Sequence, residues 1–434
     1  MNEALLFAAT SDVSGKVRGK AFPLSALEKR LGKGIGWTPT NVMISCFDGI
    51  AEGPFGSLGD LVLIPDPNTR IDLDLGQVIE RVMLGDIREL DGTAWSCCTR
   101  SILKAAIARL NALTGLQLNV AFEHEFQLVG APDAAGEAFS LQGFSHRRQL
   151  GERIMGALRD AGMQPDTFMR EFGADQYEVT IDPKEALRAA DEAALLREIV
   201  RLVARAEGQQ ASFSPIREPA GVGNGVHIHF SFATDDGRPA TWDPAGPNAL
   251  SEPASAFAAG ILKYLPTLVA FTAPSEISYL RLTPHRWSAA YNNLGDRDRE
   301  SALRICPVTA QDPEGIAKQF NMEYRAADAA ASPYLALAAL VHAGCQGIEE
   351  ALACPAATQE DLSVLPPEAL AARGIERLPE TLEQALSRLE RDETVRGWFA
   401  PVFSEVYLAH KRGELAELEG RDPAARCRAY LKVY

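Results

Sequence analysis

The sequence is short of the features that mark several large classes of protein. Basic residues are outnumbered, since 43 Lys and Arg stand against 58 Asp and Glu and give a formal net charge of −15. Affinity for nucleic acid comes mainly from Lys and Arg that neutralise phosphates, so no nucleic-acid partner is expected. No apolar run reaches the roughly 18 residues that a membrane span requires. Because the stretch from Met1 to Thr10 also lacks a leading positive charge and a clean cleavage site, we expect neither membrane insertion nor secretion.

Cysteine and nucleotide-binding patterns are missing as well. The 7 cysteines form no Cys-x-x-Cys pair, which argues against a zinc ribbon, and their odd number argues against a disulfide framework. This usage is typical of a reducing compartment, and we expect a cytoplasmic protein. No GxxxxGK[ST] loop occurs, so a classical P-loop nucleotide site is excluded.

What the chain does have is an ordinary globular composition, with 46% hydrophobic and 23% charged residues over 434 positions, enough for about two to four domains. Up to about Ile71 the chain is turn-rich, and its segments ALLFAAT, VRGKAF, NVMISCF and DLVLIPD predict strands of a small β-rich unit. From Cys97 onward helical patterns such as TRSILKAAIARLNAL alternate with strands. We therefore expect an N-terminal domain of residues 1–96 and an α/β or α+β catalytic domain of residues 97–434.

Four strand-like segments in the second part carry acids or histidines on one face. Because side chains alternate between the two faces of a strand, each segment presents its ionisable residues together. These residues are Glu123 and Glu125 in LNVAFEHEFQLV, Glu178 in DQYEVTI, His227 and His229 in GVHIHFSF, and Glu323 and Arg325 in NMEYRAA, with Glu171 upstream of Glu178. If the four strands belong to one sheet, the carboxylates can share a cavity only with bound cations, and oxygen ligands with imidazole favour Mg²⁺ or Mn²⁺ over zinc. Ordinary solvated strand faces are the alternative interpretation.

A basic cluster accompanies these acids. Arg281, Arg297, Arg299 and Arg304 lie within SYLRLTPHRWSAAYNNLGDRDRESALRI, and Arg325 follows soon after. Arginines beside a divalent-cation site stabilise the negative charge that phosphoryl transfer spreads over phosphate oxygens. The combination indicates a phosphoryl-transferring enzyme that has no P-loop.

These segments, in this order, resemble those of the glutamine synthetase family along essentially the whole chain. The similar motifs are EHEF, EFGADQYE, GNGVHIHFS, SYLRLTP, DRDRESALRI and NMEYRAADAAASPYLALAAL, and the segments SGKVRGKAFP, FDG and GDLVLIPD resemble that family's N-terminal domain. The resemblance implies an α+β fold, with a small N-terminal β-grasp domain and a large C-terminal domain whose curved, barrel-like antiparallel sheet is flanked by helices. It also implies a homo-oligomer, a dodecamer of two stacked hexameric rings, in which the N-terminal domain of one subunit completes the active site of its neighbour.

The resemblance further implies a role for each matching residue. Two or more Mg²⁺ or Mn²⁺ ions would be held, the first by Glu125, Glu171 and Glu178 and the second by Glu123, His227 and Glu323. ATP would contact His229, Arg299 and Arg304, and L-glutamate would contact Gly223, Arg281 and Arg325. The catalytic groups would be Asp48 of FDG, Arg281, Arg299 and Arg325. In the implied reaction the γ-carboxylate of glutamate takes the γ-phosphoryl of ATP, and a nitrogen nucleophile then displaces phosphate from the acyl phosphate.

One departure from the family's motifs decides which nucleophile is expected. Six places after Arg281, where the family has an acidic residue that helps to bind ammonium, this chain has Trp287. An indole in place of a carboxylate removes a negative charge and adds an apolar or cation-attracting wall, which favours a larger amine. We therefore expect a ligase for glutamate and an organic amine, whether aromatic, alkyl or polyamine. The alternatives are a glutamine synthetase that uses ammonia, which Asp48 favours, a packing role for Trp287, and a non-catalytic family member.

Smaller departures affect the glutamate and phosphate sites and one control point. They are Asp175 for a glycine, Val222 for an asparagine, Asn224 for a serine, Asn321 for an arginine, and Ser363 for the tyrosine that relatives modify by adenylylation. Val222 and Asn321 change the surroundings of the glutamate and phosphate sites. Control by adenylylation is expected to be absent.

Overall fold

The fold combines an N-terminal sheet, a larger C-terminal sheet and a set of helices. The computed structural model describes residues 3–76, 78–130 and 138–434. Its strands are β1 (Leu5–Ser11), β2 (Val17–Pro23), β3 (Ile35–Trp37), β4 (Leu61–Pro65), β5 (Ile71–Asp74), β6 (Ile79–Arg88), β7 (Leu116–Val129), β8 (Pro165–Arg170), β9 (Gln176–Ile181), β10 (Lys184–Glu185), β11 (Gln210–Ser212), β12 (Val226–Thr234), β13 (Leu294–Asp296), β14 (Leu303–Ile305) and β15 (Met322–Ala327). Its α-helices are α1 (Leu27–Lys33), α2 (Thr99–Thr114), α3 (Leu141–His146), α4 (Arg148–Asp160), α5 (Ala186–Ala206), α6 (Glu252–Thr272), α7 (Ser278–Arg281), α8 (Pro313–Gln319), α9 (Pro333–Glu349), α10 (Pro367–Ala372), α11 (Leu382–Arg391), α12 (Glu393–Arg396), α13 (Pro401–Glu417) and α14 (Pro423–Leu431).

The N-terminal sheet has the strand order β2-β1-β6-β4-β3, with β5 paired to β6. Its pairs are antiparallel except for the parallel pair of β1 and β6. The strands predicted for ALLFAAT, VRGKAF and DLVLIPD are confirmed as β1, β2 and β4. The strand predicted for NVMISCF is wrong, because Pro39–Met43 forms a 3-10 helix. Pro39 begins this helix, where its fixed φ and missing N–H favour a helical turn over a β-ladder.

The C-terminal sheet has the strand order β13-β14-β15-β12-β7-β9-β8, with β10 and β11 also paired to β7. Its pairs are antiparallel except for the parallel pair of β13 and β14. The four strands that carry acids or histidines on one face, β15, β12, β7 and β9, are consecutive neighbours in this order. The expectation that they share one sheet is therefore confirmed, as is the α+β fold with a barrel-like sheet.

A buried arginine joins the N-terminal sheet to the helices behind the C-terminal sheet. Arg100 in α2 is almost fully buried. Its Nη1 lies 2.9 Å from Oδ1 of Asp86, its Nη2 2.8 Å from Oδ2 of Asp66, and its Nε 2.8 Å from Oδ1 of Asp191. Because a buried charge is tolerated only when it is paired and hydrogen-bonded, these three carboxylates fix the sheet of β4 and β6 against α2 and α5.

Helix α6 forms part of the hydrophobic core. An 18-residue window within Glu252–Thr272 has a mean hydropathy of 1.4, long and apolar enough to cross a membrane by composition alone. In this fold 89% of that window is buried, chiefly against α9 and α11. The helix therefore packs here as the core helix of a folded domain.

Candidate active site

The register of the C-terminal sheet places the ionisable residues of neighbouring strands opposite one another. The directly opposed pairs are His227 with Glu123, Glu178 with Glu125, and His229 with Glu323. Opposed residues of an antiparallel pair have Cβ atoms about 5 Å apart, so their side chains meet on one face. The alternation of β7 also holds, because Val120, Phe122 and Phe126 on its other face are buried in the core.

Two clusters of ligand atoms result from this register. Carboxylate oxygens of Glu125, Glu171 and Glu178 all lie within 4.8 Å of one another. Glu123, Glu178 and His227 form a second cluster of the same size. Glu323 joins its edge, since Nδ1 of His227 lies 3.4 Å from Oε1 of Glu323 and 3.4 Å from Oε2 of Glu123. The structure thus brings together the six residues expected to bind metals, with Glu178 belonging to both clusters.

The charge state of these carboxyls fits a cation site. Burial and the charge of Glu125 raise the pKa of Glu171 to about 7. Burial and the charges of neighbouring glutamates raise the pKa of Glu178 to about 9. Without a cation the cluster therefore has to retain protons, which a divalent ion would replace. Carboxylate oxygens with one imidazole form a donor set that suits Mg²⁺ or Mn²⁺.

Charge partners keep two further carboxyls of the site, those of Glu123 and Glu323, ionised. Burial alone would raise the pKa of Glu323, but the charges of His227 and Arg325 lower it to about 2. In the same way, hydrogen bonds from His227 and His229 lower the pKa of Glu123 against the effect of burial. The cluster of Glu123 and Glu323 is therefore anionic and already contacted by cationic groups.

The predicted arginines do not all lie at the same depth. Arg304 is buried, with Nη1 2.9 Å from Oε2 of Glu323, and Arg325 is buried and pairs with Oε1 of the same carboxylate. Arg299 is exposed, although its charge acts on the carboxyl of Glu171. Two guanidinium groups are thus fixed by Glu323, whereas the side chain of Arg299 is free to meet a ligand from outside.

Gly223 and Arg281 lie in direct contact. A Cβ atom at position 223 would lie 2.4 Å from Cγ of Arg281, so only glycine leaves room for that side chain. Arg281 is buried and donates from Nη1 to Oγ of Ser288, at 2.7 Å, and from Nη2 to the carbonyl of Ala327, at 2.5 Å. The amide of Gln176 holds the Gly223 carbonyl at 2.8 Å.

A cavity of about 440 Å³ opens beside the first carboxylate cluster; we call it the central cavity. Its polar side is formed by Glu125, Glu171, His227 and Arg281, and its apolar side by Phe172, Val222 and Trp287. The indole of Trp287 is 63% exposed, and its ring centroid lies 6.3 Å from that of Phe172. Charged ligand atoms and an aromatic wall therefore face one space.

Asp48 lies elsewhere in the subunit. Among the described residues that line the central cavity, Asp48 does not occur. Its side chain is 69% exposed and pairs with Arg18, with Oδ1 2.9 Å from Nη1. An exposed acid on the N-terminal sheet's loops is compatible with service to a neighbouring subunit, which stays a prediction.

Sequence patterns missed Cys306, and they noted Asn321 only as a departure from the family's motif. Cys306, directly after β14, has its Sγ 3.6 Å from Nδ1 of His229 and 3.8 Å from Oε2 of Glu323, and the three form a further cluster of ligand atoms. Oδ1 of Asn321 lies 2.9 Å from the same imidazole nitrogen and accepts a hydrogen bond when that nitrogen carries the proton. Cys306 carries no motif of its own. The proximity of both residues to His229 follows only from the pairing of β14, β15 and β12.

Asp175 shows how one departure from the family's motifs is tolerated. Its φ of 45° lies in the left-handed region that glycine adopts without strain. Asp tolerates this region better than most residues. Its carboxylate is also held by Nη2 of Arg147, at 2.7 Å, and by the hydroxyl of Tyr177, at 3.0 Å. The turn that precedes β9 is therefore kept without the glycine.

Comparisons with known proteins agree with this geometry. Residues 3–95 match the glutamine synthetase N-terminal domain, and residues 96–430 match the glutamine synthetase catalytic domain. The gamma-glutamylpolyamine synthetase of Streptomyces coelicolor is 33% identical over 434 residues, which cover 98% of this chain and 92% of that protein. The glutamine synthetase of Thermococcus kodakarensis is 29% identical over 402 residues, which cover 90% and 85%.

Solved structures extend the likeness to three dimensions. A crystal structure of a novel glutamine synthase homolog is similar with a TM-score of 0.92 and 42% identity, and covers 100% of this chain and 99% of its own. GmaS in complex with ADP is similar with a TM-score of 0.83 and 25% identity, and covers 96% and 94%. Members of the matched family are ATP-dependent ligases, and this chain is one of them. The chain belongs to the glutamine synthetase family.

Proposed function

We propose that this ligase joins the γ-carboxylate of L-glutamate to an organic amine through a γ-glutamyl phosphate, and releases ADP and phosphate. One observation carries the proposal. The wall of the central cavity contains the indole of Trp287, which occupies the position where the family's motif has an acid for ammonium, and beside it the ring of Phe172. An aromatic wall gives binding free energy to a nucleophile with apolar surface and gives little to ammonia.

The residue roles follow the resemblance and are part of the proposal. Glu125, Glu171 and Glu178 hold one Mg²⁺ or Mn²⁺, and Glu123, His227 and Glu323 hold a second. Glutamate binds at Gly223, Arg281 and Arg325, and ATP binds at His229, Arg299 and Arg304. Bound cations neutralise charge on the phosphate oxygens. Asp48 serves the active site of a neighbouring subunit in a dodecamer of two stacked hexameric rings, and a cytoplasmic location is retained as an expectation.

The reaction needs two steps at one place. An oxygen of the glutamate γ-carboxylate forms a bond to the γ-phosphorus of ATP as the bond to the bridging oxygen of ADP breaks. The amine nitrogen then attacks the carbonyl carbon, loses a proton and displaces inorganic phosphate. The chain's own contribution is position and charge, because buried Arg281 lies against Gly223 while Arg304 and Arg325 are fixed by Glu323.

The two relatives differ in their acceptor. The Streptomyces coelicolor relative is a gamma-glutamylpolyamine synthetase, which supports an organic amine, and the relative from Thermococcus kodakarensis is a glutamine synthetase. A cationic amine would gain from contact with the indole face. An aromatic amine would stack on it and is already neutral at pH 7, so it would need less help to lose a proton. Both classes therefore belong in the test.

The test is phosphate release from ATP with glutamate and Mg²⁺. The acceptors compared are ammonium, aniline, isopropylamine, ethylamine, ethanolamine, putrescine and spermidine. We expect at least one organic amine to exceed ammonium in kcat/KM by about tenfold or more, which is about 1.4 kcal/mol of transition-state preference. Trp287→Glu, which returns a carboxylate to this place, is expected to move the preference toward ammonium.

Trp287→Phe is the matched control, because it keeps an aromatic ring without a charge. We expect it to retain the organic amine that the wild type prefers. If ammonium is the best acceptor of the wild type, the proposal fails and the protein is a glutamine synthetase in which Trp287 only packs. If no acceptor supports phosphate release, the protein is a non-catalytic family member.

A further inference from the structure

The loop from Pro284 to Ser288, which carries Trp287 to the central cavity, has an unusual backbone. His285 has a φ of 62° and Trp287 a φ of 50°. Non-glycine residues adopt this left-handed region infrequently because Cβ approaches the following carbonyl; His is among the residue types that tolerate it better, whereas a bulky residue such as Trp287 is an outlier there. The backbone of Trp287 is therefore maintained only where the surroundings determine it. The question is which group determines it.

Glu300 contacts both strained residues. Its Oε2 accepts a hydrogen bond from the backbone N–H of His285, at 3.0 Å, and its Oε1 accepts one from the backbone N–H of Trp287, at 3.1 Å. Each oxygen of one carboxylate thus takes one N–H from alternate residues of the loop. Hydrogen bonds to an ionised acceptor are stronger than those between neutral groups.

The backbone of Glu300 is itself fixed. Its N–H donates to Oδ1 of Asp298, at 2.9 Å, and the hydroxyl of Ser301 donates to the carbonyl of Asp298, at 2.9 Å. A Cβ atom at Gly295 would lie 2.4 Å from Oγ of Ser301, so this turn packs closely on β13. The carboxylate of Glu300 is therefore presented to the loop from a rigid support.

An ion pair with a cationic side chain would be another explanation for the position of the Glu300 carboxylate. Within the part of the chain that the structure describes, no Lys, Arg or His forms an ion pair with Glu300. It lines a neighbouring cavity together with His285 and does not line the central cavity. The position of the Glu300 carboxylate is therefore explained by its two hydrogen bonds to the backbone of the loop.

The indole of Trp287 depends on its backbone for its position. Its side chain is 63% exposed, and its ring contact with Phe172 is a tilted one at 6.3 Å. A ring packed on one face only is held weakly by its side-chain contacts. The backbone of Trp287 is hydrogen-bonded on both sides: its N–H donates to Glu300, and its carbonyl accepts from Nη2 of Arg325, at 3.3 Å. The direction of the indole therefore follows from the loop conformation.

We propose that Glu300 is a positioning residue that sets amine specificity, because its carboxylate fixes the loop that places Trp287 over the central cavity. This inference rests on the proposed function, in which Trp287 is the wall of the amine site. Glu300 acts through Trp287 and touches no substrate.

The test is a double-mutant cycle of Glu300 and Trp287, read out as the ratio of kcat/KM for the preferred amine to kcat/KM for ammonium. Glu300→Ala is expected to lower this ratio by roughly tenfold, the loss typical of hydrogen bonds to a charged group. In a Trp287→Ala background the same change is expected to leave the ratio unaltered, since the wall is already gone. A merely structural role would lower the ratio equally in both backgrounds, or in neither.

Glu300→Gln keeps the size of the side chain and serves where Glu300→Ala does not fold; its expected loss is smaller. Glu360→Gln is the matched control, because Glu360 lines the same neighbouring cavity but pairs with Arg373 instead of the loop. Its ratio is expected to equal that of the wild type.

A second readout needs no substrate. The emission of Trp287 is isolated as the difference between the wild type and Trp287→Phe, and its anisotropy is expected to fall in Glu300→Ala because the ring moves more freely. Unchanged anisotropy overturns the inference, whatever the acceptor proves to be. An organic-amine preference that survives Glu300→Ala also overturns it while leaving the proposed function standing. A wild type that prefers ammonium overturns the proposed function and, with it, the specificity role of Glu300.

Discussion

Replacing Glu178 by glutamine should stabilise the metal-free protein while it weakens metal binding. Glu178 is buried and belongs to both carboxylate clusters. Burial and the charges of Glu123 and Glu125 raise its pKa from 4.5 to about 9. At neutral pH the unfolded chain leaves this carboxyl ionised, whereas the metal-free fold protonates it. The ionisable carboxyl of Glu178 therefore lowers the free energy of unfolding of the metal-free protein, and a neutral group at this position would not.

The size of that penalty can be worked from the two pKa values. Taking up a proton at pH 7 against an unfolded pKa of 4.5 costs on the order of 3 kcal/mol, at about 1.36 kcal/mol per pH unit. The penalty is absent below pH 4.5, grows as the pH rises to about 9 and is constant above that value. Glutamine has the same size and no proton to take up, and its amide can donate to the neighbouring carboxylates.

The assay is thermal unfolding of the wild type and Glu178→Gln, with EDTA and with excess Mn²⁺, at pH 5 and pH 7.5. With EDTA at pH 7.5 we expect the variant to melt a few degrees higher than the wild type, and at pH 5 the difference should nearly vanish. With Mn²⁺ the order should reverse, because the wild type gains the free energy of metal binding. Phosphate release by the variant should be abolished.

The matched control is Glu152→Gln. Glu152 lies on α4 with a side chain that is 67% exposed and a surface ion pair to Arg148 at 3.3 Å. Such pairs contribute little, so its melting temperature should match that of the wild type under each condition. The reasoning is refuted if Glu178→Gln melts below the wild type in EDTA at pH 7.5, or if Mn²⁺ raises both melting temperatures equally.

Two further predictions concern the glutamate site and the shared active site. Gly223→Ala should raise the KM for glutamate by about tenfold or more, because the new Cβ would lie 2.4 Å from Cγ of buried Arg281 and displace that side chain. The control Gly156→Ala, whose Cβ meets open space on α4, should leave the KM for glutamate unaltered. An unaltered KM in Gly223→Ala would contradict the placement of the glutamate site. Asp48→Asn and Glu323→Ala should each be inactive, yet mixed oligomers reassembled from both should recover up to about a quarter of wild-type activity if each active site combines two subunits of a ring. Mixtures no more active than either variant alone would show that Asp48 has no role in trans.

Much of the C-terminal sheet could be predicted from its sequence because the alternation of apolar and ionisable residues identifies the two faces of each strand. In LNVAFEHEFQLV the apolar residues fall on one face and Glu123 and Glu125 on the other, and the structure keeps that alternation in β7. The sequence of a single strand does not determine its register against the neighbouring strand. That Glu178 lies opposite Glu125, and so belongs to two clusters at once, depends on how β9 pairs with β7. Register is decided by the whole sheet and its connections.

Segments governed by distant contacts were beyond such reasoning. The stretch PHRWS contains no glycine, so nothing in it indicates the left-handed backbone of His285 and Trp287. The carboxylate that stabilises it comes from Glu300, in another turn of the chain. NVMISCF failed for a related reason, because its apolar residues fit a strand but Pro39 begins a 3-10 helix instead. In both cases tertiary or flanking residues outweigh the local pattern.

An acidic residue contacts the loop that carries Trp287, but it is not at the position where the family's motif has one. The family's motif puts a carboxylate on the loop itself, where it faces the nucleophile, whereas here the carboxylate of Glu300 lies behind the loop and accepts two backbone N–H groups. A carboxylate whose two oxygens both accept backbone N–H groups, outside the lining of the central cavity, does not itself contact a nucleophile in that cavity. Under the proposed function the acceptor site selects by apolar contact with Trp287 and Phe172, and this is the physical reason to expect a nucleophile that brings carbon atoms of its own.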